Sequence, residues 1–159
     1  MMAQRECHLG RAAFAGFASA YVMALAGYWL EAVLGIGQID IAHAGLRYVS
    51  GGRSGWWVVG IVFHLIDGVL LGMLFGAVVY PRFAVPFRKT YGRFWSHVAA
   101  AWVFAGLVWL FLDMLIAMPF MGAGVFGRRT GSIRPALGTL ALHGVFGTLL
   151  GAIYGLREC

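Results

Sequence analysis

From Trp56 to Tyr80 the chain carries one formally charged side chain, Asp67, and three other stretches, Ala12 to Leu34, Phe94 to Phe120 and Pro135 to Leu156, are nearly as apolar. A helix needs roughly 20 mostly apolar residues to cross a hydrocarbon core of about 30 Å. In lipid a spanning backbone must satisfy its own hydrogen bonds, which only helices and closed barrels achieve. Runs of this length are helical runs, so the expected fold is an all-α integral membrane protein with four transmembrane helices in one membrane domain, 1–159. With 61% hydrophobic and 11% charged residues, little chain is left for a soluble domain.

Arg5, Arg11 and the Ala24-Leu25-Ala26 tripeptide imitate a secretory leader, but the run stays apolar past Ala26 and is read as a retained helix. The formal net charge of +6 would suggest nucleic acid in a soluble protein. Here the basic residues cluster between apolar runs, as topology signals and headgroup contacts, and no nucleic-acid partner is expected. Arg82, Arg88, Lys89 and Arg93 crowd the second loop, with Arg5, Arg11 and Arg157 on the same side; Arg47, Arg53, Arg128, Arg129 and Arg134 lie opposite. The bias predicts both termini in the cytoplasm, in a prokaryotic inner membrane. Cys7 and Cys159 would then be reduced, with no disulfide.

The halves of the chain resemble each other. Gly10-Arg11 aligns with Gly92-Arg93, and Trp29-Leu30-Glu31 with Phe111-Leu112-Asp113. HLIDGVLLGMLFG from His64 aligns with HGVFGTLLGAIYG from His143, bringing Gly68, Gly72 and Gly76 onto Gly147, Gly151 and Gly155. Each half reads as basic residue, apolar helix, acid near the far end, loop, His-Gly helix, giving two tandem parallel-repeat hairpins at about 10–80 and 92–157. Two helices per unit is an even number, so both copies enter the membrane from the same side. Helices two and four are then parallel, with His64 and His143 at similar depth, about two turns inside the outer end.

Glycines four apart share a helix face and leave a groove into which another backbone can sink. In lipid, where burial of apolar side chains gives no hydrophobic advantage, such close approach is a main source of helix association. The ladders are therefore read as packing faces, with helices two and four in close contact.

The pattern Leu142-His143, Phe146-Gly147, Leu150-Gly151, Ile153-Tyr154-Gly155 resembles the closing helix of a family of small prokaryotic four-helix membrane proteins of unknown function. PFMGAGVFG, from Pro119 to Gly127, and the first-half ladder fit the same family. The resemblance implies the four-helix fold and carries no activity with it.

In the first loop, Ile41, Ala44, Gly45 and Val49 alternate with Asp40, His43 and Arg47 as in a short interfacial amphipathic helix. The third loop is glycine-rich and ends at Pro135, suited to the first turn of a helix. It lacks the Gly-Lys-Thr of a phosphate loop and is read as conformational freedom.

Ionisable groups inside a bilayer are costly and mark functional sites. Here they are Glu31, His64, Asp67, Asp113 and His143, all in the outer half, with His97 nearer the inner end. The repeat offers two acid–histidine pairs, Glu31 with His64 and Asp113 with His143, and Asp67 stands one turn after His64. Such pairs satisfy each other away from water and hold helices in register. Four ligands from four helices at one level also suit a divalent metal, and two histidines on parallel helices suit the axial positions of heme b. Intramembrane acids and histidines equally serve proton relays. Nothing points to catalysis: GxSxG, HExxH and CxxC are absent, and Ser19, Ser96 and Thr148 are isolated hydroxyls of the kind that bond helix backbones. Trp29, Trp102 and Trp109 lie deep enough to face lipid, a partner or a pigment. The expected function is that of a small non-enzymatic membrane protein, an accessory subunit of a larger complex or a homo-oligomer. Its partners are the bilayer and other membrane subunits or itself; the alternative is a heme- or metal-binding or proton-relay protein.

Overall fold

The computed structural model describes residues 2–34 and 55–156. The amphipathic helix expected around Ile41 to Val49 lies outside the described residues, as do Arg47, Arg53, Arg157 and Cys159. All regular structure among the described residues is helical. Helix α1 is Met2–Leu34; α2 is Trp56–Leu74, prolonged by a wide π-helical stretch, Phe75–Ala84. Helix α3 is Val85–Val108, prolonged by a second wide stretch, Trp109–Ala117, and a last turn, Met118–Phe120. A 3₁₀ segment, Val125–Thr130, leads to α4, Arg134–Gly155.

Four helical segments are long and apolar enough to cross a membrane: His8–Val33, Trp56–Phe83, Phe94–Phe120 and Arg134–Gly155. They alternate in direction, so one end of the bundle carries the start of α1 and the end of α4. We call this the termini end and the opposite one the far end.

Glycine conformation sets two boundaries. Gly92 adopts φ 71°, a left-handed value that breaks α3 at the start of its apolar span. In the third loop Gly122, Gly124, Gly127 and Gly131 all have positive φ. The expectation of freedom gives way here to a folded turn: Arg129 N–H donates to the Ala123 carbonyl at 2.8 Å, and the Phe126 ring packs edge-on against Trp109. Pro135 occupies the first turn of α4, where its missing N–H costs nothing.

The core is built mostly of small residues and phenyl rings. Ala12, Ala15 and Ala20 of α1 meet Phe75, then Ala101, Phe104 and Ala105 of α3, and Leu142, Phe146, Leu150 and Tyr154 of α4. Half of the α4 span is buried (50%) against 22% of the α2 span, so α4 is the central stave and α2 the peripheral one.

The glycine ladders do not face each other, which corrects the expected pairing of α2 with α4. Gly68 and Gly72 lie on Gly16 and on Ala12 and Ala20 of α1; a Cβ at Gly72 would fall 2.8 Å from the Gly16 Cα. Gly147 lies on Ala101 and Ala105 of α3, and Gly151 on His97 and Val98, where a Cβ would come 2.6 Å from the Val98 Cα. The reason is complementarity: a row without side chains brings backbones closest when the opposing row is also small. Ala12-Gly16-Ala20 and Ala101-Ala105 repeat the four-residue spacing on the preceding helix.

Candidate functional site

On the far-end side of the bundle α2 and α3 stand apart, leaving a groove of about 590 Å³ floored by α1 and α4. Its walls are apolar, from Phe63 and Leu70 on α2 to Leu112, Ile116 and Phe120 on α3 and Phe146 on α4. Into it face His64, Asp67, Asp113, Thr139 and His143; among the described residues no lysine or arginine lines it. Four of the five ionisable residues singled out from the sequence thus converge on one groove. Glu31 does not line it and is exposed.

Each histidine is oriented by a backbone carbonyl. His64 Nε2 donates to the Ala20 carbonyl across the α1–α2 interface at 3.1 Å. His143 Nδ1 donates to the Thr139 carbonyl one turn back in α4 at 2.8 Å. A nitrogen facing a carbonyl must carry the proton, so these bonds fix the tautomer of each neutral ring. Nδ1 of His64 and Nε2 of His143 then bear the lone pairs.

The acids are placed differently in the two halves. Asp113 meets the Thr139 hydroxyl, and the Thr139 carbonyl holds His143, so the acid reaches its histidine through threonine. The Trp109 indole N–H donates to the same hydroxyl and to the Ala136 carbonyl, each at 3.2 Å. Asp113 sits in the wide stretch of α3, where the Met118 N–H reaches back to the Asp113 carbonyl across five residues. Pro119 follows and supplies no N–H of its own, a setting in which helices widen. In the first half the acid nearest His64 is Asp67, one turn on in the same helix. Glu31 makes no part of this cluster.

Thr139 belongs to the site although no motif in the sequence marks it. The signal was its place four before His143, where a hydroxyl and a carbonyl share one helix face with the imidazole; the position four before His64 is Gly60, also in the groove wall. Trp102 and Trp109, expected to face lipid, a partner or a pigment, also tie α3 to α4, and Trp102 remains exposed. The Trp102 indole N–H donates to the Thr148 hydroxyl at 2.8 Å, and that hydroxyl donates to the Gly144 carbonyl.

Among the described residues no three His, Cys, Asp or Glu side chains come together in a way that could hold a metal ion, so the expected four-ligand centre of His64, His143, Glu31 and Asp113 is not assembled. The physical reason is Glu31, which is exposed and does not line the groove. For the heme b expectation, His64 gives Nε2 to the Ala20 carbonyl, which leaves Nδ1 as its free ligand atom.

No family model matches this chain, and no curated protein or solved structure shows significant similarity to it.

Proposed function

We propose that this is a non-enzymatic membrane protein whose far-end groove binds a lipid-soluble molecule with a cationic or hydrogen-bond-donating head. The observation that carries the reading is the composition of the groove: two carboxyl groups and two oriented imidazoles amid apolar walls, with no lysine or arginine among the described residues that line it. Its volume of about 590 Å³ suits a small ligand, since such pockets usually measure roughly 300–1,000 Å³. Carboxylates and imidazole lone pairs accept hydrogen bonds, so the head that complements them donates. The gap between α2 and α3 gives the tail a path from the bilayer.

The test is a titration of the detergent-purified protein with dodecylamine, dodecanol and dodecanoic acid, followed by thermal stability. We expect the amine to stabilise most and the acid least, with the difference lost in the double variant Asp67→Asn, Asp113→Asn. Equal responses to amine and acid would overturn the reading.

A second reading is an accessory subunit or a homo-oligomer, in which the groove seats a transmembrane helix of another chain. It is favoured by the exposed apolar rims, Phe63, Leu70, Ile116 and Phe120, which flank the opening. Pull-down in mild detergent tests it, and a solitary monomer would count against it. Two further points belong to the proposal. The halves are read as copies of one hairpin, since each packs a glycine ladder against its own preceding helix. The termini end is assigned to the cytoplasm of a prokaryotic inner membrane, because Arg11, Arg82, Arg88 and Lys89 lie there.

A further inference from the structure

The tautomers set by the Ala20 and Thr139 carbonyls leave one unprotonated nitrogen on each histidine, Nδ1 of His64 and Nε2 of His143. Among the described residues, the buried side-chain nitrogens and oxygens without a partner belong to Arg11 and Tyr154 alone. The two unbonded imidazole nitrogens are therefore not sealed inside the protein, and both histidines line the far-end groove. Each histidine has a carboxyl group on its own side. Asp67 stands one turn from His64 on α2, close enough for their charges to interact. Asp113 reaches His143 through Thr139 on the side of α3 and α4. The groove thus carries two sets of hydrogen-bond acceptors on different walls. His64 and His143 sense each other's charge, so one small head can reach both sets.

Donors are scarce in the same space. Among the described residues no lysine or arginine lines it, and the Thr139 hydroxyl is engaged by the Ala136 carbonyl at 3.1 Å and by Asp113. Phe63, Phe120 and Phe146 add three phenyl rings to the lining. Such rings pack favourably, offset or edge-on, against a further aromatic ring.

On the basis of the reading of the groove given above, we propose that its ligand is a tailed hydroquinone, a quinol, with one hydroxyl donating to the His64–Asp67 set and the other to the His143–Asp113 set. A quinol carries a donor at each end of a flat ring, which matches two acceptor sets and an aromatic lining. An ammonium or alkanol head holds its donors on one atom and answers one set at a time. The oxidised form, a quinone, keeps the ring and tail but presents two carbonyl oxygens, and acceptors facing acceptors stay unpaired. A site built to bond a hydroxyl rejects an analogue without it, because its own buried polar groups then lose their partners. The groove is therefore selective for the reduced form, and the gap between α2 and α3 lets the tail remain in the bilayer.

The test is equilibrium binding to the full chain in mild detergent, kept anaerobic. The probes are 2-decylhydroquinone, 2-decylphenol, 2-decyl-1,4-benzoquinone and the dimethyl ether of the hydroquinone, which offer two, one, no and no donors on the same ring and tail. We expect each hydroxyl to be worth about tenfold in affinity, with the quinone and the ether weakest. His64→Phe and His143→Phe should each weaken the hydroquinone about tenfold and leave the quinone nearly unchanged. The probe series on the parent chain decides the matter even where a histidine variant fails to fold. Equal affinity for hydroquinone and phenol, or for hydroquinone and quinone, would overturn the proposal. If dodecylamine still stabilises more than dodecanoic acid in that case, the wider reading of the groove stands and only the quinol falls; equal responses to those two would remove the wider reading itself.

Discussion

The glycine row of α2 and that of α4 have the same spacing, and each packs on the helix before it, yet the two interfaces are held by different means. Between α1 and α2 glycine meets glycine: Gly68 and Gly72 sit on Gly16, and the polar link is His64 to the Ala20 carbonyl. Between α3 and α4 the opposing row is Val98, Ala101 and Ala105, and the polar links are the indoles of Trp102 and Trp109 on Thr148 and Thr139. Both interfaces bring backbones into direct contact, since a Cβ at Gly151 would come 2.6 Å from the Val98 Cα, and the second adds long side chains that reach across it. The same difference shapes the groove. In the second half Thr139 carries both Asp113 and His143, whereas the first half has Gly60 at the matching position and brings its acid, Asp67, from α2 itself.

The sharpest way to break this comparison is Gly72→Leu. A side chain there meets the Ala12 carbonyl and the Gly16 backbone, neither of which can turn aside. We expect a loss of about 3 kcal/mol or more, seen as failure to recover a folded monomer from detergent. Gly72→Ala should cost about 1–3 kcal/mol in equilibrium unfolding, while Gly155→Ala, whose Cβ would come 3.2 Å from the His97 ring, should cost distinctly less. Equal costs would mean that the His97 ring beside Gly155 yields no more readily than the backbone beside Gly72.

Smaller effects sharpen the polar side. His64→Ala removes a bond between helices and His143→Ala one within a helix. The first should therefore cost more, by about 0.5–1 kcal/mol, the usual scale of an interhelical hydrogen bond in a membrane. A double-mutant cycle on Trp102→Phe and Thr148→Val should return a coupling of about 0.6 kcal/mol. The smallest change is Gly144→Ala. Nothing lies within 4 Å of a Cβ at that position, so stability should stay within about 0.5 kcal/mol of the parent or rise slightly. A large loss there would show that α4 contacts something on that face beyond the monomer.

Much of this arrangement was legible in the residues. The four apolar runs match the spans to within a few residues at each end, because hydrocarbon thickness dictates helix length whatever the packing. The ladders were legible as packing faces, since a row of four-spaced glycines has few other physical uses. Convergence of His64, Asp67, Asp113 and His143 on one side of the bundle followed from their shared depth. Glu31 had the same depth and fell outside, because depth fixes the level of a side chain and not the direction in which it points.

What the sequence determined by itself is the set of helices, their lengths and the small faces each presents, all properties of a local apolar segment. Tertiary structure alone decided which small face meets which. Ala12-Gly16-Ala20 and Ala101-Ala105 compete with the opposite ladder for the same kind of contact. The same choice turned Glu31 outward, brought Thr139 between Asp113 and His143, and set Arg11 over the Tyr154 ring. Rotation of a helix about its axis costs little until its neighbours are in place, and it is this rotation that determines which polar groups share a site.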